Sequence, residues 1–159
     1  MDIELTVDGR PRRVAVEPRT TLADALRDQC DATSVHLGCE QGACGACTVH
    51  LDGVAIRSCL LLAVQAAGCR VTTVAGLPVG PGLHPVQQAF ADRNAFQCGF
   101  CTPGFVMLLA AELADAPDLD DAGLVELVSS NLCRCTGYQG ILAAARDARD
   151  AGAAGRAAG

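Results

Sequence analysis

The sequence predicts a small α+β domain followed by an all-α domain of four helices. Three observations carry that prediction. Apolar residues alternate with period two near the start, as in half-buried strands. Helical spacing takes over after a stretch rich in Gly and Pro. The second half also contains an internal repeat: aligning Cys101-Thr102 with Cys135-Thr136, at an offset of 34 residues, superposes helix, cysteine pair, cap and helix. This repeat predicts a four-helix bundle with pseudo-twofold symmetry, both cysteine pairs meeting at one end.

Each element has a local reason. Ile3, Leu5 and Val7 alternate, Asp8-Gly9 and Pro11 supply turn chemistry, and Val14 and Val16 alternate again, which makes a hairpin. Thr20 and Thr21 offer N-caps for a short helix with Leu22, Ala25 and Leu26 on one face. A Gly-rich cysteine stretch leads to Thr48-Val49-His50-Leu51, an Asp52-Gly53 turn and a returning strand at 54–56, with Val71-Thr72-Thr73-Val74 as one more strand. These make a first domain over 1–76, and 77–83 is a linker by composition. The helical domain spans 84–150. Pro85 opens its first helix, with Val86, Ala89 and Phe90 on one face and His84 as cap. Thr102 can cap a second helix starting at Pro103, and Asp118 or Asp120 opens a third carrying Leu124, Leu127 and Val128. Thr136 and Gln139 have capping-box spacing for a fourth, with Ile141 and Leu142. Residues 151–159 are low in complexity and are expected to form a flexible tail.

Composition removes several function classes. The 159 residues carry 12 basic and 18 acidic side chains, a net charge of −6, with four Phe, one Tyr and no Trp. Nucleic-acid binding needs basic patches and stacking platforms, so that class is set aside. No apolar run approaches the ~20 residues of a membrane span. The longest, 105–111, fits bundle core or an interface helix covered by a partner. Met1-Asp2-Ile3-Glu4 lacks the charged and apolar regions of a signal peptide, so a cytoplasmic protein is expected. Ten cysteines are then too many to pass over, because cytosolic cysteine is more often metal-binding or catalytic than disulfide-bonded.

Eight of the ten fall into two groups of four. The first is Cys39-x4-Cys44-x2-Cys47 with Cys59 following, and the second is Cys98-x2-Cys101 with Cys133-x-Cys135. In the first, Gly38, Gly42 and Gly45 interleave the thiols, and such a loop can aim several N–H groups at sulfur. The x4-x2 spacing is the plant-type ferredoxin pattern for a [2Fe–2S] cluster. The second group is less specific, and by spacing alone it could hold a cluster or zinc. Cys133 and Cys135 cannot point the same way on a regular helix, so both pairs are expected in the non-helical entries to helices. There the dipole and free N–H groups favour negative charge.

Three segments also carry a family resemblance. Gly38-Cys39-Glu40-Gln41-Gly42-Ala43-Cys44-Gly45-Ala46-Cys47-Thr48-Val49 resembles the first cluster motif of the molybdenum hydroxylases, the xanthine oxidase and aldehyde oxidase superfamily. Gln97-Cys98-Gly99-Phe100-Cys101-Thr102-Pro103-Gly104 and Asn131-Leu132-Cys133-Arg134-Cys135-Thr136-Gly137-Tyr138 resemble its second. The likeness runs from about residue 2 to 148, with both motifs in order. It implies a plant-type ferredoxin-like β-grasp domain, then the four-helix bundle, each holding one [2Fe–2S] cluster, with the short spacing to Cys59 usual for the family. It further implies a small subunit partnered by a large molybdopterin-binding subunit and a medium FAD-binding subunit, as a heterotrimer or a dimer of heterotrimers. The pterin is expected as the cytosine dinucleotide. Such a complex hydroxylates an aldehyde or N-heterocycle with water as oxygen source, and the clusters relay single electrons from molybdenum to FAD. By the same resemblance Gln97 and Cys135 lie near the molybdopterin. No residue of this chain is expected to be catalytic.

The other candidates have plainer readings. Cys30 and Cys69 are expected to be packing residues, and His36 and His50 to be structural or surface groups, because each quartet is already complete. Arg134 either pairs with cluster charge or meets a partner. Two other functions stay open at this point. One is the small subunit of a carbon monoxide dehydrogenase of the same superfamily. The other, of a different class, is a stand-alone ferredoxin-like carrier or a zinc-stabilised interaction module.

Overall fold

The computed structural model describes residues 1–78 and 80–157, with side chains described as far as residue 152. A mixed five-stranded sheet with one helix is followed by four helices: a ferredoxin-like domain, then a helical domain. The strands are β1 (Asp2–Val7), β2 (Arg10–Ala15), β3 (Thr48–Leu51), β4 (Val54–Arg57) and β5 (Arg70–Thr72). They lie in the order β2-β1-β5-β3-β4, parallel only between β1 and β5. The helices are α1 (Leu22–Gln29), α2 (Pro85–Asp92), α3 (Thr102–Asp115), α4 (Asp121–Ser129) and α5 (Tyr138–Ala157).

The period-two pattern places one face of β1 in the core. Ile3, Leu5 and Val7 are buried, with Ile3 opposite Val14. Asp8 (φ 49°) and Gly9 (φ 76°) both take the left-handed conformation of a two-residue hairpin turn. Pro11 and three arginines occupy β2, an edge strand where a missing N–H and repeated charge hinder further pairing. Thr21 caps α1 by accepting the Asp24 N–H (3.1 Å). Leu22, Ala25 and Leu26 are then turned wholly into the core, and each buried leucine contributes roughly 1.5–3 kcal/mol. Asp8 closes the sheet at the other end. Its two carboxylate oxygens accept the Thr73 N–H (2.7 Å) and hydroxyl (2.8 Å), and β5 stops at Thr72 rather than running to Val74.

A second core belongs to the helices. Phe90, Phe105, Met107, Leu109, Leu124, Val128 and Ile141 are buried together, with Tyr138 edge-on to Phe105 at 6.3 Å. Leu77, expected in the linker, is buried in this core, and Val74 packs against it. His84 caps α2 by accepting the Val86 N–H at Nδ1 (3.3 Å). Asp120, not Asp118, caps α4 by accepting the Gly123 N–H (2.8 Å).

Several expectations are corrected. Thr102 is the first residue of α3 rather than its cap, and its hydroxyl is buried without a partner. Thr136 does not cap α5: it takes φ 57° in the turn after Cys135, and the helix begins at Tyr138. In the segment 151–159, expected as a flexible tail, the backbone is helical as far as Ala157, where α5 ends, and 158–159 lie outside the described residues. Cys30 is buried in the first core as expected, but Cys69, which directly precedes β5, is only half-buried. No helix among the described residues is long and apolar enough to cross a membrane.

Two candidate metal centres

The first quartet gathers where the loop after α1 enters β3. Cys47 is buried one residue before β3, and Cys59 sits on a 3₁₀ turn (Ser58–Leu60) directly after β4. Ser58 fixes that turn, donating from its hydroxyl to the Cys47 carbonyl (2.7 Å). Burial first, then the neighbouring Cys47 thiol, pushes the Cys59 thiol up to about 11. Cys39 and Cys44 form the other pair. The backbone N–H of Gln41 and then that of Cys44 (3.3 Å) draw the Cys39 thiol down to about 7. Successive amides converging on sulfur make an anion-binding nest. The loop can curl this way because Glu40, Gly42 and Gly45 have φ of 54°, 78° and 77°. At Gly45 a side chain is also excluded by space, since a Cβ there would overlap Arg57 and Asn131.

The second quartet gathers at the entries to α3 and α5. Burial first, then the neighbouring Cys133 thiol, pushes the Cys101 thiol up to about 12. Cys98 is exposed and faces Cys135. The Phe100 backbone N–H, and then the Cys135 thiol, hold its pKa below the usual thiol range. The Gly137 N–H donates to the Cys133 sulfur (3.4 Å) from the first residues leading into α5. Tyr138 clamps this loop: its hydroxyl donates to the Asn131 carbonyl (3.0 Å) and accepts the Cys133 N–H (2.8 Å). Gln97 donates to the Cys135 carbonyl (3.2 Å), so the two residues singled out near the pterin lie together on the exposed side of the quartet.

Both groups therefore assemble as two pairs of thiols backed by N–H groups. Among the described residues no three His, Cys, Asp or Glu side chains close on one point as a mononuclear ion requires. Two thiolates per iron, with sulfide bridging the irons, is the donor set of a [2Fe–2S] cluster, and the pairs fit it. The histidines are employed elsewhere. His36 stacks on Phe100 (centroids 4.9 Å apart), with Nδ1 2.7 Å from the Phe100 carbonyl, and buried His50 places Nε2 2.7 Å from the Met107 carbonyl. Arg134 is exposed between its two cysteines.

Comparison with known proteins agrees with this donor chemistry. Residues 5–75 match the family model of the 2Fe-2S iron-sulfur cluster binding domain, and residues 73–146 that of the [2Fe-2S] binding domain. The chain is 51% identical to the nicotine 6-hydroxylase small subunit of Paenarthrobacter nicotinovorans, covering 93% of this chain and 89% of that one. It is 47% identical to the xanthine dehydrogenase iron-sulfur-binding subunit of Escherichia coli O157:H7, over 88% of this chain and 89% of that one. This chain belongs to the iron–sulfur small subunits of the molybdenum hydroxylase family. The structure of quinoline 2-oxidoreductase from Pseudomonas putida 86 matches with a TM-score of 0.89 and 46% identity, covering 98% of this chain and 97% of the matched chain. As its relatives are subunits of oxidoreductase complexes, this small subunit is an electron-transfer component of such a complex.

Sequence reasoning missed the residues that join the two centres or brace the second. Asn131, Gly104 and Tyr138 lie inside the recognised motifs, but nothing local announces their contacts. Arg57 carries no signal at all, because its partner Asn131 is 74 residues away.

Proposed function

We propose that Cys39, Cys44, Cys47 and Cys59 hold one [2Fe–2S] cluster, and that Cys98, Cys101, Cys133 and Cys135 hold a second. When bound, each cluster supplies a one-electron couple. The observation that carries this reading is the pairing of thiols, Cys39 with Cys44 and Cys47 with Cys59, then Cys98 with Cys135 and Cys101 with Cys133. The chain's part is to fix those thiolates, direct N–H groups at them and keep water from the buried members. Gln97 and Cys135, on the exposed side, face the molybdopterin of a large subunit, and the first quartet serves an FAD-binding subunit. Electrons then pass singly from molybdenum to FAD through this chain.

At the level of fold, the parallel contact of the first and last strands supports a β-grasp sheet. The two cysteine pairs, each followed by a helix, support a four-helix bundle with pseudo-twofold symmetry. The partners form a heterotrimer or its dimer in the cytoplasm. The complex oxidises an aldehyde or N-heterocycle with water as oxygen source. Similar proteins named for nicotine, xanthine and quinoline support the heterocycle.

Purification tests this directly. The anaerobically isolated complex should contain about four irons and four sulfides per small subunit, give two reduced-cluster EPR signals, and bring molybdenum and FAD with it. Stoichiometric zinc without visible absorption would sink the proposal. Turnover of carbon monoxide, but of no heterocycle or aldehyde, would move the complex to the carbon monoxide dehydrogenase branch.

A further inference from the structure

The two cysteine loops meet along a seam. The Cys44 carbonyl accepts the Leu132 N–H at 2.9 Å, so one hydrogen bond joins a first-quartet cysteine to the residue preceding Cys133 of the second. Arg57 crosses the seam beside that bond. Its Nη1 donates to Asn131 Oδ1 (2.7 Å) and its Nη2 to the Ser130 carbonyl (3.1 Å). Asn131 is 2% exposed, and its carbonyl accepts the Tyr138 hydroxyl that also receives the Cys133 N–H. Segment 130–133 is thus held at one end by Arg57 and at the other by Tyr138, with the Leu132 N–H left pointing at Cys44. The Leu132 side chain is 54% exposed and anchors little. Gly45 completes the arrangement, because only a residue without a Cβ leaves room for the guanidinium and the Asn131 amide.

We infer that Arg57 and Asn131 are positioning residues for electron exchange between the two centres. They hold closed the Cys44 carbonyl–Leu132 amide hydrogen bond, part of a continuous path of bonds from Cys44 to Cys133. The exchange moves one electron, oxidising one centre and reducing the other, and no bond breaks and no proton moves. This inference rests on the cluster assignment proposed above.

The test is made in the assembled complex with Arg57→Ala, Asn131→Ala and Arg57→Lys. Four quantities are read: iron and sulfide content, amide hydrogen exchange at Leu132, the magnetic interaction between the reduced centres, and the single-turnover rate of equilibration between them. The alanine variants should retain their iron, exchange the Leu132 amide roughly tenfold faster through loss of the held hydrogen bond, and equilibrate more slowly. Arg57→Lys should recover part of each effect, since an ammonium can donate to Asn131 Oδ1 without forking to Ser130. Arg93→Ala, which breaks an exposed pair with Asp147 in the helical half, should change none of them. Faster Leu132 exchange with an unaltered equilibration rate would overturn the inference. So would iron loss in step with rate loss, if the loaded fraction still equilibrated at the unaltered speed, because the role would then be structural only. An unaltered chain without its iron would instead overturn the cluster assignment, which keeps the two failures distinct.

Discussion

Gly104, in the first turn of α3, lies so close to Gly45 of the first cysteine loop that a Cβ at 104 would overlap the Gly45 carbonyl oxygen and come within 2.9 Å of the Ala46 Cα. The obstacles are backbone atoms, which cannot swing aside as a side-chain tip can. This bare contact lets α3, which carries the second quartet's entry, seat on the loop that carries the first. The two centres share one rigid seam for that reason.

Gly104→Ala should therefore destabilise the chain, although alanine is the better helix former. The propensity gain is about 1 kcal/mol, whereas overpacking costs typically 1–3 kcal/mol. A net loss of up to about 2 kcal/mol is expected in denaturant unfolding of the iron-loaded chain. Gly140→Ala is the control, because a Cβ there meets Ala95 only at ordinary contact distances of 3.4 and 3.8 Å. It should be neutral or stabilising by up to about 1 kcal/mol. Equal losses at both positions would show that the Gly45 approach is not what matters.

The cysteines should separate by chemistry rather than by burial. Cys98→Ser should cost the second centre and about half of the iron, leaving one EPR signal, although Cys98 is the exposed member of its group. Cys30→Ala should do the reverse. It is 4% exposed in the first core, so stability should fall by about 1 kcal/mol while iron content stays whole. Cys69→Ser, half-buried at the surface, should change neither. Iron lost from the Cys30 variant at unaltered stability would place that residue among the ligands.

The pattern of these residues also shows what could be read in advance. Ile3, Leu5 and Val7 announced β1 because burial on one sheet face imposes period two, and His84-Pro85 announced α2 because both capping signals are local. Thr102 and Thr136 misled for a physical reason. The backbone entering α3 and α5 is bent to present amides to sulfur, with Gly99 at φ 79° and Thr136 at φ 57°, and this displaces the usual cap. The quartets were visible because cysteine is scarce and its spacing informative. The pairing across each quartet, and the Arg57–Asn131 bond, depend on contacts between distant segments that no local pattern encodes.

At the start of α2, stability should depend on pH through His84. Its Nδ1 must be unprotonated to accept the Val86 N–H, while its own backbone N–H donates to Gln87 (3.0 Å). Burial, and secondarily the charge of His50, lower its pKa from the ordinary value of 6.5. The unfolded chain thus takes up this proton at higher pH than the folded chain does. The contribution to stability is full above the unfolded pKa and is lost as pH falls from about 6.5 toward the lowered folded value. The denaturation midpoint of the loaded chain should accordingly drop between about pH 7.5 and about pH 5.5. His84→Asn keeps a good cap that does not titrate, so its midpoint should fall less over the same range. An identical drop in both proteins would assign the pH dependence to other groups.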